Sequence, residues 1–327
     1  MRDRTRAGCA VVAAAVIASL ALAGCGSTVN KKQATTNSRP SCSTGSATPK
    51  PAPTSPASVQ VTKDASLAAQ VPAAVRKAGT LKVAADASYP PNEFQPQGKT
   101  TIVGMDVDLG TAIGSTLGLK TTFVNASFDG ILAGLAAHKY DLGMSSFTDT
   151  KERQQTVDFV TYFSAGTSIM AKKCNPLNIK TQLDLCGKKI GAENGTTQLD
   201  SLQKKTPGSV AQQCATAGKK APVGSGYPDQ SNVNTALAAG RIDAYLADTP
   251  VVDYAVKANS QLFQKVGKTT DVAPYGIAIP KDSGTLKNAV LAAVKKMIAD
   301  GTYTAIMKNW GVQAGAISDP VINGAQS

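Results

Sequence analysis

From Thr80 onward the apolar positions of the chain switch between two rhythms. "LKVAAD" at 81–86 is a short apolar run of the kind that forms a buried strand. The stretch that follows Gly104 instead repeats Met105, Leu109, Ile113 and Leu117 along one helix face. "TTFVNA" reads as a strand, "FDGILAGLAAHKY" as a helix and "YDLGMS" as a strand. The same alternation resumes with the strand "KKIGAE" (188–193), the helical "TTQLDSLQKK" and the strand "APVGSG". A helix from about Ser231 and the strand "AYLAD" complete it. Strands alternating with helices predict mainly parallel sheets covered by helices.

One pattern occurs twice. "LAAHKYDLGM" (135–144) and "LAAGRIDAYL" (237–246) share Leu-Ala-Ala, a basic residue, an apolar residue and Asp at the same offsets. Each copy reads as a helix end, a tight turn and a strand. Two similarly built α/β lobes account for the repeat. In open parallel sheets ligands bind beyond the carboxyl ends of strands. Those ends fall at Asp86 and Ser145 in the first lobe, and at "ENGTTQ" and Asp248 in the second. If the lobes face each other, polar groups from all four ends line one cleft. "SIMAKK" and "YGIAIP" are expected to carry the chain between the lobes.

The first residues follow a different logic. Arg2, Arg4 and Arg6 precede an apolar run from about Cys9 to Leu22, the layout of a secretory signal. It is too short and wrongly flanked for a stable membrane span. Its end, Leu22-Ala-Gly-Cys25, is similar to a bacterial lipobox, in which Cys25 takes the lipid and becomes the first mature residue. From Gly26 to about Ser66 the chain is rich in Ser, Thr, Pro, Lys and Ala without a period, and reads as a disordered, extended tether. The expected organisation is a signal at 1–24, a lipidated cysteine and tether at 25–66, a first lobe at 67–172 and 273–318, a second lobe at 173–272, and a flexible tail at 319–327.

Composition adds limits. The 327 residues suffice for two ordinary lobes with cores of their own. The formal charge is +12, but the basic residues are scattered and no nucleic-acid-binding motif is present. A solvated basic surface follows, with no nucleic-acid partner. With Cys9 lost to the signal and Cys25 to the lipid, Cys42, Cys174, Cys186 and Cys214 remain on the oxidising side of a membrane. Four cysteines allow three pairings. Cys186 with Cys214 is favoured, because one starts a strand and the other ends the helical segment that returns to it. Zinc is the competing use, and the absence of CxxC spacing with a single histidine argues against any metal. That histidine, His138, reads as a solvated residue at a helix end.

The segment "GMSSFTDTKERQQTVDFV" (143–160) carries the most chemistry. An apolar strand breaks into hydroxyls at Ser145, Ser146 and Thr148, and Arg153 follows. Amides, hydroxyls and a guanidinium at a strand end suit a carboxylate; an exposed helical arginine is the bland alternative. Across the cleft, Thr196 and Thr197 stand at a helix start, where amides and dipole favour an anion.

"LKVAADASYPPNEF", "GMDVDLGTAIGSTLGL", "FDGILAGLAAHKYDLGMSSFTDTKERQQTVDF", "GTT", "DTP", "YGIAIP" and "GTYTAIMKNWG", in this order, resemble the polar amino-acid family of ABC-transporter solute-binding proteins. The likeness spans about Thr80 to Val312. It implies a periplasmic-binding-protein fold, two α/β lobes joined by a two-segment hinge, closing on a free amino acid. By the same resemblance Arg153 binds the α-carboxylate through a bidentate fork. Ser145 joins the binding set, and Ser146 and Thr148 supply amides and a hydroxyl. Asp248 takes the α-ammonium. Tyr89 and Phe128 wall the ligand side chain, whereas Phe147 packs inward. Asp86 and Glu193 occupy side-chain-reading positions, and two carboxylates favour a basic side chain over a neutral polar one. The resemblance further implies an extracytoplasmic, monomeric receptor without cofactor or catalytic residue, held to the outer face of the cell membrane by its lipid, which delivers its ligand to the permease of an ABC importer. The alternatives are a dehydratase-like enzyme on the same fold, with Glu193 as its acid or base, and a ligand-sensing receptor subunit.

Overall fold

The computed structural model describes Ala57 and residues 59–325. The signal, Cys25 and Cys42 lie outside the described residues. In chain order the elements are α1 (Ala65–Ala68), α2 (Ala73–Ala78), β1 (Thr80–Ala85), β2 (Ser88–Tyr89), β3 (Glu93–Phe94), α3 (Met105–Thr116), β4 (Lys120–Asn125), α4 (Phe128–Ala136), β5 (Leu142–Gly143) and β6 (Val157–Lys172). They continue with β7 (Lys189–Glu193), α5 (Thr197–Gln203), α6 (Val210–Thr216), β8 (Val223–Tyr227), α7 (Gln230–Ala238), β9 (Ala244–Asp248), α8 (Thr249–Ala258), β10 (Phe263–Pro280), α9 (Leu286–Ala299) and α10 (Thr302–Trp310).

Two parallel triplets follow from the alternating pattern. β1 lies between β4 and β5, and β7 lies between β8 and β9, all parallel. The repeated sequence motif leads into the equivalent strands β5 and β9. The triplets belong to one sheet of order β4-β1-β5-β10-β6-β9-β7-β8, because β6 and β10 are long antiparallel strands that serve both halves. In the first half β10 is the one that meets the triplet, at β5; in the second it is β6, at β9. "SIMAKK" and "YGIAIP", expected to be the connections, are therefore one flank each of two continuous strands. The passage itself lies between them, where the β6–β10 register shifts between Val266 and Thr270 and again between Thr270 and Ala273. Such irregularities release ladder bonds and let a strand bend. Thr167–Ala171 already pair with β9, so the second lobe begins before residue 173.

Each half is a three-layer sandwich. On one face of the first half Met105, Leu109, Ile113 and Leu117 pack with α9 and α10 against Leu81, Val83 and Leu142. Ile131 and Leu135 of α4 cover the other face with Ala84, Phe147 and Phe159. In the second half α5 and α6 bury Leu199, Leu202 and Val210 on one face, while α7 and α8 bury Val233, Leu237 and Val252 on the other. Each such side chain contributes about 1.5–3 kcal/mol on burial. Cys186 and Cys214 form a disulfide that ties the turn before β7 to α6. The loop-entropy account assigns a ring of this length about 3–4 kcal/mol. Cys174 is also disulfide-bonded.

Both chain ends dock further than the expected boundaries at 66 and 319. The Ala57 amide donates to Asp108 Oδ2 at 2.7 Å, Val59 and Val61 pack on the first core, and Asp64 caps α1. Near the other end the Asn323 side chain accepts from the Phe159 amide at 2.8 Å and donates to Asp158 Oδ1 at 2.9 Å. Both segments are polar and aperiodic in sequence, which hid these attachments: a few specific hydrogen bonds to a finished surface leave no repeating pattern. Among the described residues no helix is long and apolar enough to cross a membrane.

Candidate functional site

The four strand ends converge. β1 stops just before Asp86, β5 two residues before Ser145, β7 at Glu193 and β9 at Asp248, and all four residues line one narrow cavity between the lobes. Tyr89, Phe128, Ser146, Thr148, Arg153, Thr196 and Thr197 line it too, and Gln198 is the one lining residue that the sequence reading did not name.

Arg153 opens a short 3-10 turn after the first-lobe strand end. Its Nη1 donates to the Thr148 carbonyl at 2.8 Å and its Nη2 to the Gly195 carbonyl at 2.9 Å, so the guanidinium bridges the lobes. Its Cζ lies 5.4 Å from the ring centres of both Phe128 and Phe147, which stack on each other at 4.5 Å. Burial lowers its pKa to about 10, with Asp248 the strongest group acting against that shift. Arg153 thus stays charged at neutral pH, and both hydrogen-bond partners are neutral carbonyls. A carboxylate is the species that such a cation favours.

Asp248 is buried and held from both sides. Gln198 Nε2 donates to Oδ1 at 2.7 Å, and the hydroxyls of Tyr275 and Tyr89 donate to Oδ2 at 2.7 and 3.2 Å. The Asp248 amide returns a bond to the Tyr89 oxygen at 3.3 Å. Burial raises this carboxyl to about 6, against the pull of Tyr275, Tyr89, Gln198 and Arg153. It is ionised at neutral pH. Tyr89, expected as a wall, also joins the lobes through its hydroxyl.

Asp86 accepts from the amides of Ser88 and Phe128 at 3.1 and 3.2 Å, and burial raises its pKa. Glu193 differs: it is 2% exposed, and its Oε1 has no hydrogen-bond partner among the described residues. Burial first, then Asp86, Asp229, Asp248 and Asp129, raise it to about 9.

The serines and Thr196 sit where expected but present different atoms. The Ser145 hydroxyl accepts from the Asp86 amide at 2.9 Å and donates to Glu93 Oε1 at 3.0 Å. The Ser146 amide donates to Asp106 Oδ2 at 3.0 Å, and its hydroxyl bonds Glu93 and Asn92. The Ser146 amide, expected to face a ligand, is turned into the lobe. Behind it Glu93 and Asp106 are fully buried together; burial and mutual repulsion push Glu93 well up, while Tyr162 donates to Asp106 at 2.7 Å. This polar floor fixes a turn in which Ser146 takes a φ of 53°. The Thr196 hydroxyl is occupied in capping α5, accepting from the Leu199 amide at 3.2 Å and donating to the Glu193 carbonyl at 2.7 Å. α5 has only seven residues, so the expected dipole is small.

The lobes are closed. Besides Arg153–Gly195 and Tyr89–Asp248, the Gln230 amide donates to Ser88 Oγ at 3.1 Å. Gly195 has φ +74°, and a Cβ there would meet Asp129 Cβ at 2.9 Å and Cα at 3.0 Å. His138 is exposed and pairs with Asp282, away from the cleft lining. Among the described residues no group of three or more His, Cys, Asp or Glu side chains could hold a metal ion.

Comparison with known proteins places this geometry. The profile of the bacterial extracellular solute-binding proteins, family 3, matches residues 81–313. The arginine-binding protein ArgT of Corynebacterium glutamicum is 30% identical over 78% of this chain and 82% of its own. Among solved structures, an ancestral arginine-binding protein bound to arginine shares 36% identity and a TM-score of 0.64, over 71% of this chain and 98% of that one. The ancestral amino-acid-binding protein AncCDT-1, a precursor of cyclohexadienyl dehydratase, shares 32% identity and a TM-score of 0.62, over 72% and 97%. The fold is the periplasmic-binding-protein-like α/β fold with a mixed sheet.

Proposed function

The chain belongs to the bacterial extracellular solute-binding proteins of family 3, and we propose that within it this protein is the receptor of an amino-acid ABC importer, closing on a free amino acid with a basic side chain. One observation carries the reading: a single interlobe cavity holds Arg153 and Asp248, which match the two charges of an amino-acid zwitterion, together with Asp86 and the unpartnered Glu193. Arg153 takes the α-carboxylate and Asp248 the α-ammonium. Thr148 adds its hydroxyl, and Thr197 borders the same end. Phe128 and Tyr89 flank the ligand's side chain, and Asp86 with Glu193 read its cationic head. Ser145 and Ser146 hold the floor rather than touch the ligand through their hydroxyls. The arginine-binding relatives support the basic side chain.

Closure follows from the same contacts. Ligand drawn to Arg153 and Asp248 ties the lobes where Tyr89 and Gly195 already meet their partners, and the register breaks of β6 and β10 absorb the motion. The lipobox ending at Cys25 supports an extracytoplasmic protein anchored by lipid to the outer face of the cell membrane, from which it delivers ligand to the permease as a monomer. No step of this reading needs catalysis.

The test is a thermal-shift panel of free amino acids on protein refolded to remove bound ligand. A ligand that binds only the folded state raises the midpoint, by about 2.7 kcal/mol of stability at a hundredfold excess over Kd. A rise with arginine, lysine or ornithine supports the reading. A rise with glutamine or glutamate alone keeps the receptor and removes the basic side chain. Silence across the panel moves the dehydratase-like enzyme ahead, with Glu193 as the acid. Mass spectrometry of the mature protein without a lipid on Cys25 would remove the anchor.

A further inference from the structure

Cys174 is disulfide-bonded, and the chain offers it few partners. Of the six cysteines, Cys186 and Cys214 are joined to each other, which leaves Cys9, Cys25 and Cys42. Cys9 lies in the signal and Cys25 takes the lipid in the reading above, so Cys42 remains. Cys174 belongs to the second lobe: its amide donates to Gln264 Oε1 at 2.7 Å, and the Lys173 amide donates to the Leu262 carbonyl at 2.7 Å. Ala57, fifteen positions after Cys42, belongs to the first lobe. Its amide shares Asp108 Oδ2 with Trp310 Nε1, each at 2.7 Å. Each attachment is made inside one lobe, so neither depends on whether the cleft is open or closed.

A groove separate from the ligand cleft runs between the two points. Trp310 and Pro91 line it from the first lobe, Pro250, Tyr254 and Lys257 from the second, and Thr269 from the register break of β10. Pro250, Tyr254 and Lys257 follow helical spacing and mark one face of α8. Beyond α8 the chain turns through Asn259 to Leu262, the residue that Lys173 bonds. The groove thus leads from Trp310, beside Ala57, along α8 toward Cys174. Fifteen steps of polyproline chain span about 45 Å, and the ten residues of α8 cover about 15 Å of that route. Residues 43–56 also have the matching chemistry, with Pro49, Pro51, Pro53 and Pro56. Such segments are stiff before they bind and dock on grooves lined by aromatic side chains. We propose that a Cys42–Cys174 disulfide pins residues 42–57 as a strap across the hinge, with the proline-rich stretch 49–56 seated in the groove between Trp310 and α8. The strap links the lobes a third time, beside β6 and β10, and passes the pull of the lipid anchor to the second lobe instead of the first. It rests on the reading above only for the fates of Cys9 and Cys25.

Peptide mapping of the mature protein, isolated without reductant and with free thiols blocked, reads the bond directly. The expected result is a Cys42 peptide joined to a Cys174 peptide, in the same chain as Cys186 joined to Cys214. Cys174 found as a blocked free thiol, joined to Cys25 or joined to a second chain overturns the strap. The link to Cys25 would also remove the lipid, and none of these results bears on the amino-acid reading. Trp310 is the only tryptophan of the chain, so its quenching by acrylamide reads the groove. Cys42→Ser, which lies outside both lobes, should raise that quenching severalfold and speed proteolysis within 43–56. Cys174→Ser removes the same bond and should match it; a difference between the two assigns the bond elsewhere and overturns the pairing. Replacing Pro51, Pro53 and Pro56 together by glycine, with the disulfide intact, should also raise the quenching. A mapped Cys42–Cys174 bond with Trp310 quenching unchanged in all three variants overturns the seating in the groove.

Discussion

Glu193 and Asp248 close neighbouring parallel strands of the second lobe and line the same cavity, both nearly shut off from water. Their surroundings nevertheless give them opposite characters. Asp248 receives three side-chain donors and has Arg153 nearby, which holds it at about 6 and charged at neutral pH. Burial, with no donor on Oε1, and then four acids around it push Glu193 to about 9. In the closed cleft the protein itself finishes one carboxylate and leaves the other open. The finished one suits a group that every amino acid carries; the unfinished one suits a group that only some carry.

That contrast can be broken at its charged partner first. Arg153→Ala removes the cation beside Asp248 and the anchor for the α-carboxylate, so every amino acid should lose about 2–5 kcal/mol of binding, roughly 30- to 5,000-fold. Unchanged affinity by calorimetry would contradict the site. Next come the contacts that bring each strand end to the first lobe. Gly195, two residues after Glu193, has no room for a Cβ against Asp129 when the lobes are closed. Gly195→Ala should weaken all ligands by about 1–3 kcal/mol through overpacking of the closed state. Its left-handed φ costs a further 1 kcal/mol or so, open or closed. Faster dissociation in stopped flow, with the ligand-free melting point lowered only slightly, is the signature.

A pH series tests Asp248 without mutation. As pH falls through about 6, Asp248 takes a proton and no longer pairs with an ammonium. Glutamine and arginine should both weaken there, by up to about tenfold per pH unit. Affinity for either ligand that holds level down to pH 5 would contradict the pairing of Asp248 with the ammonium. The smallest change is Tyr89→Phe, which removes one of three donors from Asp248 and leaves Tyr275 and Gln198 in place. Calorimetry should show a loss of about 0.5–1.5 kcal/mol, the usual worth of one hydrogen bond.

Much of this molecule is legible in its sequence because its signals are local. The four-residue spacing from Met105 to Leu117 marks the α3 face, since a helix buries one stripe. The repeat before β5 and β9 marks two equivalent strands, and polar residues where apolar runs stop mark the cleft. Asp248, Asp86 and Glu193 stand at such stops, and Arg153 follows the stop at Ser145 by eight positions. The role of a serine is not local in this way. Whether Ser146 offers its amide to a ligand or to the protein depends on Glu93 and Asp106, which the β2–β3 hairpin and α3 bring beneath it from 40 or more positions away. Tyr275 and Gln198 reach Asp248 from 27 and 50 positions away, and no spacing rule predicts either.

The chain alone therefore determines where strands end and which residue types stand there, because periodicity and composition act between near neighbours. The tertiary structure decides which of those residues have partners. Asp248 and Glu193 are alike as letters, each an acid after an apolar strand. Only packing shows that one is surrounded by donors and the other by acids, because hydrogen bonds and desolvation are set by whatever the fold brings within a few ångströms.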